Sequence, residues 1–149
     1  MTEAERKILL GNAGEKCIIN YLSKKKLTLE YSIDPYDNQK DMKVNGKSLE
    51  AKTQVPFIYT EYGKCFTIAD NHQLNKCLNV DILLFVQAPC SKCNEAGIYQ
   101  VDKGFEYHRY ITKKGEKMIL IPMNQLAVRQ LTSIEGKVKE ILRKYATDF

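Results

Sequence analysis

The stretch Asp41–Gln54, DMKVNGKSLEAKTQ, sets an Asn-Gly pair between two runs of alternating apolar and polar residues. Asn-Gly is the strongest short hairpin signal, because a two-residue type I′ turn needs positive φ at both central positions. Such a loop fixes the register: Val44 faces Lys47, Lys43 faces Ser48, Met42 faces Leu49 and Asp41 faces Glu50. Side chains alternate across a strand. Met42, Val44, Leu49, Ala51 and Thr53 therefore form a core-facing set, and Asp41, Lys43, Ser48, Glu50, Lys52 and Gln54 share the other face. Two carboxylates and an ammonium fall on one patch.

Directly opposed residues have Cβ atoms about 4.5–5.5 Å apart. At roughly 5 Å and an effective dielectric near 20, two carboxylates repel by on the order of 3 kcal/mol before screening. Solvent on an exposed polar face would screen that repulsion, with Lys52 paired to Glu50. A divalent cation would instead convert it into ligation. Hard oxygens from one or two carboxylates, with water and phosphate completing the shell, suit magnesium.

Upstream, Thr2-x-x-Glu5 is a capping box that opens a helix reaching about Lys24. Within it Ile8, Gly11, Glu15, Ile18, Ile19 and Leu22 follow helical spacings and read as the buried stripe. Glu15 lies in the middle of that stripe, where a carboxylate is costly unless it is paired or turned toward a polar cleft. Gly11 and Gly14 on neighbouring turns permit close approach of a backbone or ligand. Glu15 reads either as a salt-bridged edge residue or as a functional acid aimed at the Asp41/Glu50 patch.

The rest of the chain alternates strands and helices. Leu27–Asp34 reads as a strand, Pro35–Asn38 as a loop, and Phe57–Ala69 as a hairpin turning near Tyr62-Gly63. Asp70 or Asn71 caps a short helix ending near Asn79, and Val80–Gln87 is a buried strand. Gly97–Asp102 and Lys117–Met123 are further strands, and Ser133 caps a last helix with Ile134, Val138, Ile141, Leu142 and Tyr145 on one side. With 149 residues and no linker-like tract, this is one domain, residues 1–149. The expected class is α/β, a central mixed β-sheet flanked by helices.

Asp41, then Glu50-Ala51-Lys52, preceded by a helix carrying Glu15, resembles the PD-(D/E)XK nuclease superfamily, built on a restriction endonuclease-like αβββαβ core. The resemblance covers roughly residues 2–88, with the Phe57–Ala69 hairpin inserted before the second helix, and leaves the C-terminal third unassigned. It implies a Mg²⁺-dependent endodeoxyribonuclease of restriction, homing or junction-resolving type, acting on double-stranded or branched DNA. Asp41, Glu50 and the Ala51 carbonyl would ligate Mg²⁺ or Mn²⁺. Lys52 would orient the attacking water and offset transition-state charge. Glu15 and Gln54 would be accessory site residues, and Lys40, Lys43 and Lys47 would hold the DNA backbone. Lys40 stands where the motif has proline, and Asp34 and Asp37 are alternative acids that the turn does not register against Glu50. A homodimer or homotetramer would be needed to cut both strands.

The remaining signals bound the alternatives. A net charge of +5 is compatible with a nucleic-acid partner without requiring one. No apolar run approaches bilayer length and the N-terminus lacks a secretory pattern, so no membrane partner and a cytoplasmic location are expected. Five cysteines, an odd number, argue against a disulfide scaffold. Cys90-Ser91-Lys92-Cys93 has the spacing of half a structural Zn²⁺ site, with Cys65, Cys77 and His72 the only supply of further ligands. Two other functions thus stand beside the nuclease: a catalytically silent DNA-binding module of the same fold, and a zinc-stapled interaction protein.

Overall fold

The computed structural model of the chain describes residues 1–33 and 40–146, and at residues 32, 33, 40 and 41 the backbone only. Asp34 and Asp37 lie outside the described residues. The chain begins with α1 (Glu3–Lys24), whose first turn is closed by Thr2 Oγ1 accepting from the Glu5 amide at 3.1 Å. Next come β1 (Leu29–Ile33), β2 (Lys40–Val44) and β3 (Lys47–Gln54). Asn45 and Gly46 join the last two at φ 54° and 77°, as a type I′ turn demands. The hairpin pairs Met42 with Leu49, Lys43 with Ser48 and Val44 with Lys47, the register read from the turn.

β4 (Phe57–Tyr59) and β5 (Gly63–Ala69) follow, then α2 (His72–Asn79), capped by the Asn71 side chain accepting from the Gln73 amide. The chain ends with β6 (Ile82–Gln87), β7 (Gly97–Val101), β8 (His108–Ile111), β9 (Lys117–Pro122), β10 (Val128–Ser133) and α3 (Lys137–Tyr145). Among the described residues this is an α+β protein with three helices, a mixed six-stranded sheet and an antiparallel four-stranded sheet curled into a half-barrel. The expected central mixed sheet with flanking helices is present, but the class is α+β, because among the described residues only β3 and β6 pair in parallel. Every other pairing is antiparallel.

The larger sheet runs β1-β2-β3-β6-β7-β10. One face carries Val44, Leu49, Leu84, Val86 and Ile98, covered by α1 and α3. The other carries Leu83, Phe85 and Val101, covered by α2 and by Phe66, Ile68, Ile119 and Ile121 of the smaller sheet, β4-β5-β9-β8. The inserted hairpin therefore founds a second sheet.

Two expectations about helices are corrected. The buried stripe of α1 is Leu10, Ala13, Gly14, Cys17, Ile18 and Leu22, whereas Ile8 is 63% exposed and Gly11 faces open space. Gly14 decides the orientation, since a Cβ there would collide with the Thr53 side chain of β3. Ser133 ends β10, and Gly136, at φ 73°, is the residue that starts α3. β8 and β10 had no strand signal, because β8 is four residues long and β10 is a polar edge.

Candidate active site

β3 alternates as the sequence implies, so Leu49 and Ala51 point toward α1 and Glu50, Lys52 and Gln54 point the other way. That second face is covered by α2. Glu50 consequently sits at 8% exposure, one of two buried polar residues among those described. A buried carboxylate needs partners. Its Oε1 lies 3.4 Å from Lys52 Nζ and its Oε2 3.3 Å from Lys76 Nζ. Lys52 Nζ also donates to Gln73 Oε1 at 2.7 Å. One carboxylate thus holds an ammonium on each oxygen, and α2 supplies both the second ammonium and the amide that positions the first.

The surroundings reinforce this order. Cys77, one residue beyond Lys76 in α2, is 3% exposed, and its thiol is pushed up to about 11. Burial is the main cause; Lys52 and Lys76 oppose it and Glu50 adds to it. A cavity of about 300 Å³ lined by Lys43, Ser48, Glu50 and Lys76 opens on one side of Glu50. A second, of about 480 Å³, is lined by Arg6, Lys7, Leu10, Lys52, Thr53, Gln54, Val55 and Thr67, with no carboxylate among its walls.

The other expected site residues fall at varied distances from this centre. Asp41 is in β2, one residue beyond the Met42–Leu49 pair, and its side chain lies outside the described residues, as does that of Lys40. Lys43 and Lys47 are exposed, Lys43 in the wall of the smaller cavity and Lys47 at the turn. Glu15 is half-buried and accepts a hydrogen bond from the Tyr31 hydroxyl of β1, so its partner in this structure is Tyr31 and not Glu50. That bond and burial together push the Tyr31 phenol up to about 12, burial being the larger cause.

Gln54 has a different employment from the one expected. Its Oε1 accepts from the Thr67 amide at 2.6 Å and its Nε2 donates to the Thr67 carbonyl at 2.9 Å. The side chain mimics a strand and clasps β3 to β5. Gln54 therefore acts as a structural joint between the two sheets while still lining the cavity it shares with Lys52.

Among the described residues no three Asp, Glu, His or Cys side chains converge on one point. A cation at Glu50 would draw on that carboxylate, the Ala51 carbonyl, Asp41, water and substrate phosphate. This donor set is hard and sparse, which fits magnesium, an ion that keeps several waters and one or two carboxylates. The zinc ligands expected around Cys90 and Cys93 are dispersed. Cys77 belongs to the Glu50 environment, His72 lies against Gln73, and the Cys65 thiol faces the Gly63 carbonyl. Cys90 and Cys93 themselves close a tight turn by mutual backbone bonds, with Gln87 Nε2 3.6 Å from Cys93 Sγ.

Lys76 was not foreseen. Its only sequence trace is the spacing Gln73–Lys76 beside the buried Leu74 and Cys77, which puts it on the rim of the covered helix face. No protein family, curated protein or solved structure matches the chain.

Proposed function

We propose that the protein is a Mg²⁺-dependent endodeoxyribonuclease on a restriction endonuclease-like core, with Asp41, Glu50 and Lys52 as its reacting centre. The observation that carries this reading is Glu50: a buried carboxylate, adjacent in β3 to a lysine whose ammonium is held in place by Gln73. The order α1-β1-β2-β3-α2-β6, with β3 beside β6, supports the core that the motif implies. The β4–β5 hairpin interrupts that core just before α2.

When bound, magnesium would supply Lewis acidity and a water acidic enough to attack at neutral pH. Glu50 and Asp41 would hold it, with the Ala51 carbonyl. Lys52 orients the attacking water and screens the charge that grows on the phosphoryl oxygens. Gln73 fixes Lys52 through one hydrogen bond, and Lys76 balances Glu50. Lys43 and Lys47, with Lys40, would grip the backbone on either side. One centre handles one strand, so cutting duplex or branched DNA calls for a homodimer or homotetramer.

One observation favours a second reading. Two ammoniums around one described carboxylate leave a positive pocket suited to phosphate without any cation, as a silent DNA-binding module would require. Nicking and linearisation of supercoiled plasmid and cutting of a four-way junction separate the two. The nuclease reading expects cleavage with Mg²⁺ or Mn²⁺, lost with EDTA and in Lys52→Ala. Retention of DNA with no cleavage, and no Mg²⁺ or Mn²⁺ uptake by calorimetry, would establish the silent module instead.

A further inference from the structure

The half-barrel has a ring-lined inner face that the reaction centre does not use. Direct strand pairs place Phe57 beside Cys65, Tyr59 beside Gly63, Thr67 beside Leu120, His108 beside Leu120 and Tyr110 beside Met118, all on one face. β4 and β8 are opposite edges of this sheet, yet Phe57 and Tyr110 rings meet at 5.6 Å and Tyr59 and Tyr110 at 5.2 Å. The sheet therefore curls until its edges approach. Cys65 and Leu120 form a floor at 0% and 1% exposure, while the rings above remain half-exposed. The result is a shallow trough filled by mutually packed rings whose outer faces stay half-exposed.

Thr67 belongs to the floor of this trough and also lines the cavity of Arg6, Lys7 and Lys52. A cleft walled by three basic side chains, of which Arg6 pairs with Glu3 and Lys52 with Glu50, thus adjoins the aromatic trough at one residue. The cleft complements a phosphodiester chain. The rings complement base faces, and only unpaired bases present a face, since paired bases are already stacked on both sides. Glu61 and Glu106 act on Tyr62, whose ring meets Tyr59 at 5.5 Å and stacks on His108, so this end of the trough is the acidic one.

We infer that the trough binds unpaired nucleotides that leave the Lys7–Lys52 cleft, stacking them on Tyr59 and Tyr110, so that the substrate is DNA with a single-stranded arm next to the cut. This rests on the nuclease reading and names its substrate class. The test uses the wild-type protein in EDTA, with two probes: a forked duplex bearing 2-aminopurine in a five-nucleotide arm, and the same sequence fully paired. Stacking worth about 1–3 kcal/mol per base predicts a preference for the fork of about tenfold or more, with quenching of 2-aminopurine. Tyr59→Leu with Tyr110→Leu abolishes preference and quenching, and Tyr59→Phe with Tyr110→Phe keeps both. Equal affinity for fork and duplex overturns the inference. So does a preference retained by the leucine pair at an unchanged melting temperature, or lost equally in the phenylalanine pair. Plasmid nicking by the wild type is scored separately: nicking without fork preference removes the trough alone, and fork preference without nicking removes the reaction centre alone.

Discussion

At the scale of the residue, Glu50 and its neighbours form the proposed reacting centre. Lys76 keeps a third of its side chain in water, which limits what its ion pair contributes to stability. Lys76→Met is expected to cost about 1 kcal/mol or less in urea unfolding. Losing one of two cations on Glu50 should also tighten Mg²⁺ binding in calorimetry. Unchanged affinity would show that Lys76 does not compete with the ion. The thiols make a second residue-scale test. Burial raises Cys65 and Cys77 to about 11, above the usual thiol value, so at pH 8 both remain protonated. The thiolate is the nucleophile. Cys93 is half-buried where Cys65 and Cys77 are buried, so iodoacetamide at pH 8 should reach Cys93 while Cys65 and Cys77 stay unlabelled in the folded protein. Labelling of Cys77 at the rate of Cys93 would contradict the packing of α2 over β6.

At the scale of the element, α1 against β3 is the most exacting contact. Ala is a better helix former than Gly by about 1 kcal/mol. Gly14→Ala nevertheless drives a methyl into Thr53, and overpacking costs about 1–3 kcal/mol. The substitution should destabilise the protein in thermal melts, and Thr53→Ala should recover part of the loss by removing the Oγ1 and Cγ2 that the methyl meets. A stabilised Gly14→Ala protein would mean that α1 sits higher on the sheet. The same contact explains what was readable in the sequence. The Asn45-Gly46 hairpin, its register and both faces of β3 were legible because turn geometry and alternation are local rules. The face of α1 was not. Ile18 and Leu22 are buried as their spacing implies, but Ile8 and Ile19 face outward because the helix turns its small residues, Ala13 and Gly14, inward so that backbones can approach. That choice is made by Thr53, thirty-nine residues further along the chain. Lys76 and the clasp of Gln54 on Thr67 were hidden for the same reason, since each depends on an element packed from elsewhere in the chain.

At the scale of the whole molecule, the larger sheet separates an apolar side under α1 and α3 from the side that carries the proposed site. α1 and α3 close the first around Leu84, Val86 and Leu142. α2 and the half-barrel cover the second, leaving Glu50 and Lys52 between two cavities. Arg6 and Lys7 reach that second side from the N-terminal end of α1, and Lys43 and Lys76 line its other cavity. A DNA backbone laid along that path would release counterions, and log K falls with log salt at about −0.9 per phosphate neutralised. Four to six such contacts would give a slope of about −4 to −5. Lys7→Ala should weaken binding uniformly across sequences and reduce the slope by about one. Lys137→Ala, on the exposed start of α3 across the sheet, should change neither. Fluorescence anisotropy from 50 to 300 mM salt reads both variants. If Lys137 alters the slope and Lys7 does not, the DNA path lies over α3, and the cleft beside Lys52 loses its assigned role.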